Sequence, residues 1–151
     1  MPLNIWYYAT GRIEYFTVKG FSLEKHEGEY EDWPSKSKLL KNGDYVGEKI
    51  PGYYIERQFL LDDGNYFFIT SYDCPFEEQC DLLLVDTQYR QIAKRSLIPW
   101  YYSSWNFDDH KYLGDNKFLL TFNKTYHLEV SLNPKKMFGW RRISWSKVKN
   151  A

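Results

Sequence analysis

Histidines, cysteines and clustered carboxylates are the residues of this chain best suited to chemistry. His110 follows Asp108 and Asp109, a trio that can supply metal ligands or an acid–base pair if a further group holds the second ring nitrogen. Asp-Asp is also ordinary turn chemistry, and the trio falls in an expected loop between Trp105 and a strand opening at Lys117. His127 lies on the polar side of an alternating run, two residues from Glu129. Joined to His110 it would make the paired histidines of a general acid–base nuclease; alone it is solvated surface. His26 reads as a loop residue. Cys74 and Cys80, a C-x5-C pair, fit neither a zinc site with a second ligand pair nor a redox C-x-x-C. Two reduced thiols in or beside a loop are expected, ahead of one disulfide, with no metal site.

Linear catalytic signatures are missing. The chain has no G-x-S-x-G, no phosphate-binding P-loop, no G-x-G-x-x-G, no H-E-x-x-H and no EF-hand loop. A non-enzymatic protein without a cofactor is therefore the expectation, with a nuclease-like enzyme using His110 and His127 in third place.

Charge separates two further candidates. Residues 133–151 hold Lys135, Lys136, Arg141, Arg142, Lys147 and Lys149 with no acid, although the whole chain is neutral. Phe138, Trp140 and Arg142 alternate onto one expected strand face, a mixture of rings and guanidinium suited to stacking the bases of a single-stranded nucleic acid. At the other extreme, Glu24, Glu27, Glu29, Glu31 and Asp32 crowd nine residues against Lys25 alone. Glu27, Glu29, Glu31 and Asp32, with the loop tips Asp62-Asp63 and Asp108-Asp109, form a candidate surface for a basic protein. Complementary charge would steer the encounter and aromatic anchors would hold the complex.

The elements that position these residues follow from length and pattern. At 151 residues the chain suits a single domain spanning 1–151, large enough to bury roughly 68–70% of its unfolded surface. Six Trp, 14 Tyr and 10 Phe favour sheets, whose pleated faces accommodate rings. The longest aliphatic run, Leu82 to Val85, is far short of a membrane span. Met1 to Gly11 lacks the layout of a secretory signal, so a cytoplasmic protein is expected. Asn123-Lys124-Thr125 matches the glycosylation sequon, which matters only in a secreted eukaryotic chain.

Runs from Leu3 to Tyr8 and from Arg12 to Lys19 around Gly11 predict a hairpin. Asp32-Trp33-Pro34 offers a cap and Asn42-Gly43 a stop, which predicts one short helix over Trp33 to Lys41. Strands are expected over Tyr53 to Leu61, Tyr66 to Tyr72, Leu82 to Val85 as a strand covered on both faces, and Arg90 to Leu97. Two loops, one containing Pro75 and one from Ile98 to Trp105, interrupt the series. Lys117 to Phe122, Tyr126 to Leu132 and Met137 to Trp145 complete about eight strands. Gly64 to Thr70 is echoed by Asp115 to Thr121 at an offset of 51 residues, near a propeller-blade period, although a closed propeller needs at least ~4 blades. The expected fold is all-β, or β-dominated with one short helix: an antiparallel meander forming a sandwich, a barrel or an incomplete propeller-like sheet.

In outline the chain resembles the small immunity proteins of bacterial toxin systems, such as those of contact-dependent growth inhibition. The resemblance rests on an aromatic-rich domain without a catalytic motif or signal and on the acidic stretch Glu24 to Asp32. It implies a protein that binds a cognate toxin and occludes its active site or substrate surface. Partner binding therefore ranks first, a single-stranded nucleic acid second, and a membrane is not expected.

Overall fold

Period-two burial organises the chain. The computed structural model describes residues 15–17, 20–72, 79–97, 106–133 and 142–148. Among them, in chain order, are β1 (Tyr15–Thr17), β2 (Phe21–Leu23), β3 (Lys36–Lys41), β4 (Asp44–Pro51), β5 (Tyr54–Leu61) and β6 (Tyr66–Ser71). There follow β7 (Cys80–Val85), β8 (Gln91–Leu97), β9 (Phe107–Gly114), β10 (Lys117–Phe122), β11 (Tyr126–Leu132) and β12 (Ile143–Lys147). They form a five-stranded sheet, β1-β5-β6-β7-β8, a four-stranded sheet, β12-β11-β10-β9, and a three-stranded sheet, β2-β3-β4. Every pairing is antiparallel.

The five-stranded sheet is the middle layer. Phe59, Phe67, Leu82 and Leu84 meet Phe118, Leu120, Leu128 and Val130 of the four-stranded sheet. On the other face Tyr66, Phe68, Leu83 and Val85 meet Phe21, Leu39 and Ile50 of the three-stranded sheet. Since successive side chains point to opposite faces, a strand between two layers buries all of them, as β6 and β7 do. By contrast, β11 keeps its even-numbered face inward and its odd-numbered face half-buried.

The sequence echo coincides with β6 and β10, the second strands of two successive four-stranded meanders, β5–β8 and β9–β12. Similar positions in repeated hairpins account for the similarity, and among the described residues no sheet closes into a barrel.

Several expectations are corrected. No helix covers Trp33 to Lys41: a single 3₁₀ turn occupies Tyr30–Asp32, and Lys36–Lys41 is a strand. Asn42 and Gly43, with φ of 52° and 88°, make a primed hairpin turn between β3 and β4 rather than a helix stop, because both central residues need positive φ. The segment holding Asp108, Asp109 and His110 belongs to β9 instead of a loop. Twelve strands among the described residues exceed the eight expected, the additions being the whole three-stranded sheet and β9. The last strand is Ile143–Lys147; Met137 to Arg141 lies outside the described residues, as do most of the expected N-terminal hairpin, the loop containing Pro75 and the connection from Ile98 to Trp105. Among the described residues no helix is long and apolar enough to cross a membrane.

Candidate functional site

Between β2 and β3 the chain leaves the sheet and folds around the end of the layers. Glu24 holds the exit: its amide donates to the Lys38 carbonyl at 3.1 Å, and its Oε1 accepts from the Lys38 amide at 2.8 Å. Further on, the 3₁₀ turn is closed by Asp32 and Trp33 amides donating to Glu29 and Tyr30 carbonyls. The Trp33 indole N–H spans the loop, 3.2 and 3.3 Å from the Glu27 and Gly28 carbonyls.

Beneath the loop, His26 Nε2 lies 2.8 Å from Ser37 Oγ, and Ser37 donates to the Gly52 carbonyl at 2.6 Å. A carbonyl only accepts and a serine has one proton, so His26 is the donor in its pair. Ser37 is fully buried, and its proton is already engaged. This Ser–His contact is a structural bond and not an activated nucleophile. Gly52, at φ +111°, lies so close to Thr70 that a Cβ would come 2.8 Å from the threonine Cβ, which is why the backbone can pass here at all.

Aromatic rings complete the end of the molecule. Tyr53 is the hub: His26, Tyr30, Trp33 and Tyr72 stand 5.3, 5.8, 5.3 and 4.9 Å from it at interplanar angles of 70° to 89°. Such edge-to-face contacts hold rings firmly. Tyr72 is anchored by its hydroxyl donating to the Ser35 carbonyl. Tyr30 is 37% exposed, so the cluster presents apolar area to solvent. Around it, Glu27, Glu29, Glu31 and Asp32 are exposed, and none of their carboxylates has a hydrogen bond or ion pair among the described residues.

Asp62 and Asp63 do not join this surface. They sit in the β5–β6 turn, at the far end of the eight-residue β5, about 26 Å away at 3.3 Å per residue. Asp63 accepts from the Asn65 amide and side chain at 3.0 and 3.2 Å. Asp108 accepts from the Lys124 amide and Asp109 from the His110 amide, so both serve backbone donors.

His110 faces inward. Arg57 of β5 donates through Nε to its Nδ1 at 3.3 Å, the Phe59 ring packs at 4.8 Å, and the Arg57 guanidinium lies over Phe107. Burial lowers its pKa below the usual imidazole value, the Arg57 charge lowers it further, and Asp109 opposes both. His127 bonds Thr121 at 3.0 Å. Register separates the two histidines: His110 is opposite Leu120, which is opposite Leu128, whereas His127 is opposite Thr121. Adjacent positions on β10 point to opposite faces, so the paired-histidine site does not assemble. Nor do three His, Cys, Asp or Glu side chains converge as metal ligands among the described residues.

Cys80 is a free, fully buried thiol on β7. Burial, with the Asp81 and Glu56 charges, pushes its pKa well above the usual thiol value, so it stays protonated and unreactive; Cys74 lies outside the described residues. Of the basic C-terminal trio, Phe138 and Trp140 also lie outside them, and Arg142 is half-buried just ahead of β12. The residues missed by sequence reasoning are His26, Tyr30, Trp33 and Tyr53. The available signal was Tyr30 and Trp33, which interrupt and flank the acidic run. The chain matches no protein-family model, no curated protein and no solved structure.

Proposed function

We propose that this chain is a non-enzymatic binding protein whose aromatic end, ringed by carboxylates, docks a basic partner, most concretely as an immunity-type inhibitor of a bacterial toxin. One observation carries the reading: Tyr30, Trp33 and Tyr53 are gathered at a surface whose four neighbouring carboxylates, Glu27, Glu29, Glu31 and Asp32, have no partner among the described residues. Rings of this kind supply most of the binding energy at protein interfaces, while unpaired charge supplies steering. The inward-facing His110, the engaged Ser37 proton and the buried Cys80 thiol all favour binding over catalysis.

Co-expression with the product of the adjacent gene tests the reading. A stable stoichiometric complex, with the neighbour toxic alone and harmless together with this chain, is the expected result. A neighbour that is neither toxic nor retained overturns the immunity reading.

A further inference from the structure

The solvent face of the three-stranded sheet carries a second, oppositely charged surface. β3 exposes Lys36 and Lys38 while burying Ser37 and Leu39, and β4 exposes Tyr45 and Lys49 while burying Ile50. Lys38 is directly opposite Lys49 in the ladder. Like charges at such a cross-strand pair destabilise a sheet, yet among the described residues none of Lys36, Lys38 and Lys49 has a carboxylate partner. The nearest acid by register, Glu24, uses its Oε1 on the Lys38 amide. Tyr45 is 48% exposed on the same face, with the Lys38 ammonium 5.3 Å from its ring centroid.

We infer that this face binds a single-stranded nucleic acid, independently of the acidic end. Lys36 and Lys38 are two residues apart on an extended strand, about 6.6 Å, a spacing that lets successive ammonium groups follow an extended phosphate backbone. Lys49 lies beside them across the ladder, so the three cations form a compact cationic track. Tyr45 offers a ring at the end of the track on which a base can stack. A phosphate between Lys38 and Lys49 relieves their mutual repulsion, which gives the like-charge pair a physical role. The acidic loop packs its rings around the sheet end, against Ser37 and Tyr53, and so leaves the flat outer face open.

The test is binding of the full chain to a labelled oligouridine of about fifteen nucleotides, followed by fluorescence anisotropy over a salt series. Three phosphate contacts predict a log-affinity against log-salt slope of about −2, at roughly −0.7 per contact on a single strand. Lys38→Glu/Lys49→Glu should weaken binding at least about tenfold at low salt and reduce the slope to about −0.7. Lys38→Ala/Lys49→Ala should reproduce the change of slope if the reversed pair does not fold. Tyr45→Ala should cost at least about fivefold with the slope unchanged. Reversal of Glu27, Glu29, Glu31 and Asp32 should not weaken the complex. Absence of oligouridine binding at low salt, an unchanged slope in both lysine variants, or binding confined to phosphatidylserine vesicles or polyglutamate overturns the inference and leaves the acidic-end proposal standing.

Discussion

The His110 contact and the His26 end are assembled from similar residues in opposite senses. At His110 the imidazole, the Arg57 guanidinium and the Phe59 and Phe107 rings are directed between two sheets and bonded to one another. At His26 the ring is also bonded, to Ser37, but it supports a platform of Tyr30, Trp33 and Tyr53 whose fringe of carboxylates faces water. Charge satisfied inside the molecule holds layers together, whereas charge with no internal partner adds nothing to folding and is available to another molecule. Residue type does not separate the two cases; direction and partners do.

The largest expected effect lies at the inward region. Phe59 is fully buried against His110, Phe67 and Phe118, so Phe59→Ala should cost about 3–5 kcal/mol of stability in denaturant titration. Partner binding by the fraction that remains folded should be unchanged. A cost under about 1 kcal/mol would mean that the layers are not joined here.

The outward region should show the reverse. Trp33→Ala removes a ring from the exposed platform, and partner affinity should fall by about 2 kcal/mol or more, roughly thirtyfold. Its own stability should change by about 1 kcal/mol, the usual scale of a surface substitution that loses ring contacts. Calorimetric titration and thermal melting separate the two quantities, and a large melting shift with unaltered affinity would reassign Trp33 to the inward class.

Proton linkage gives a smaller and sharper contrast. His110 has a folded pKa below its unfolded value of 6.5, so in the interval between them the unfolded chain binds a proton that the folded chain refuses. Stability from this group is therefore fully present above the unfolded pKa and is lost as pH falls through it toward the folded value. The melting temperature should decline as pH falls below about 6.5, and His110→Gln should flatten that decline. An equal slope in the variant would remove His110 as its source.

Much of the scaffold was legible because burial and sequence share a period. β5, β10 and β11 follow from alternation, β6 from the Asp62 to Asn65 turn ahead of it, and β7 from an unbroken apolar run that only a doubly covered strand can bury. β3 was obscured because its inward positions are Ser37 and Leu39, and a buried serine breaks the apolar pattern even though the Gly52 carbonyl satisfies it. Asn42-Gly43 then looked like a helix stop when it is the hairpin turn itself. β9 was obscured by exposed Asp108 and Asp109, whose carboxylates bond to backbone amides from within or beside an edge strand. The acidic component of the proposed docking surface was readable as charge density. Its aromatic component was not, because Tyr53 and Tyr72 are brought to Tyr30 and Trp33 only when β4, β5 and β6 pack.

The central claim is that carboxylates at the aromatic end act on a partner and that other exposed carboxylates do not. Association rates should be measured by stopped flow for two charge reversals of the full chain, across a salt series. Glu27→Lys/Glu29→Lys/Glu31→Lys/Asp32→Lys should slow association at least about tenfold at low salt, with the gap closing as the Debye length shrinks. Asp62→Lys/Asp63→Lys, at the far end of β5, should change the rate by less than about twofold under the same conditions. Equal slowing by both reversals, or none by the first, would contradict the account.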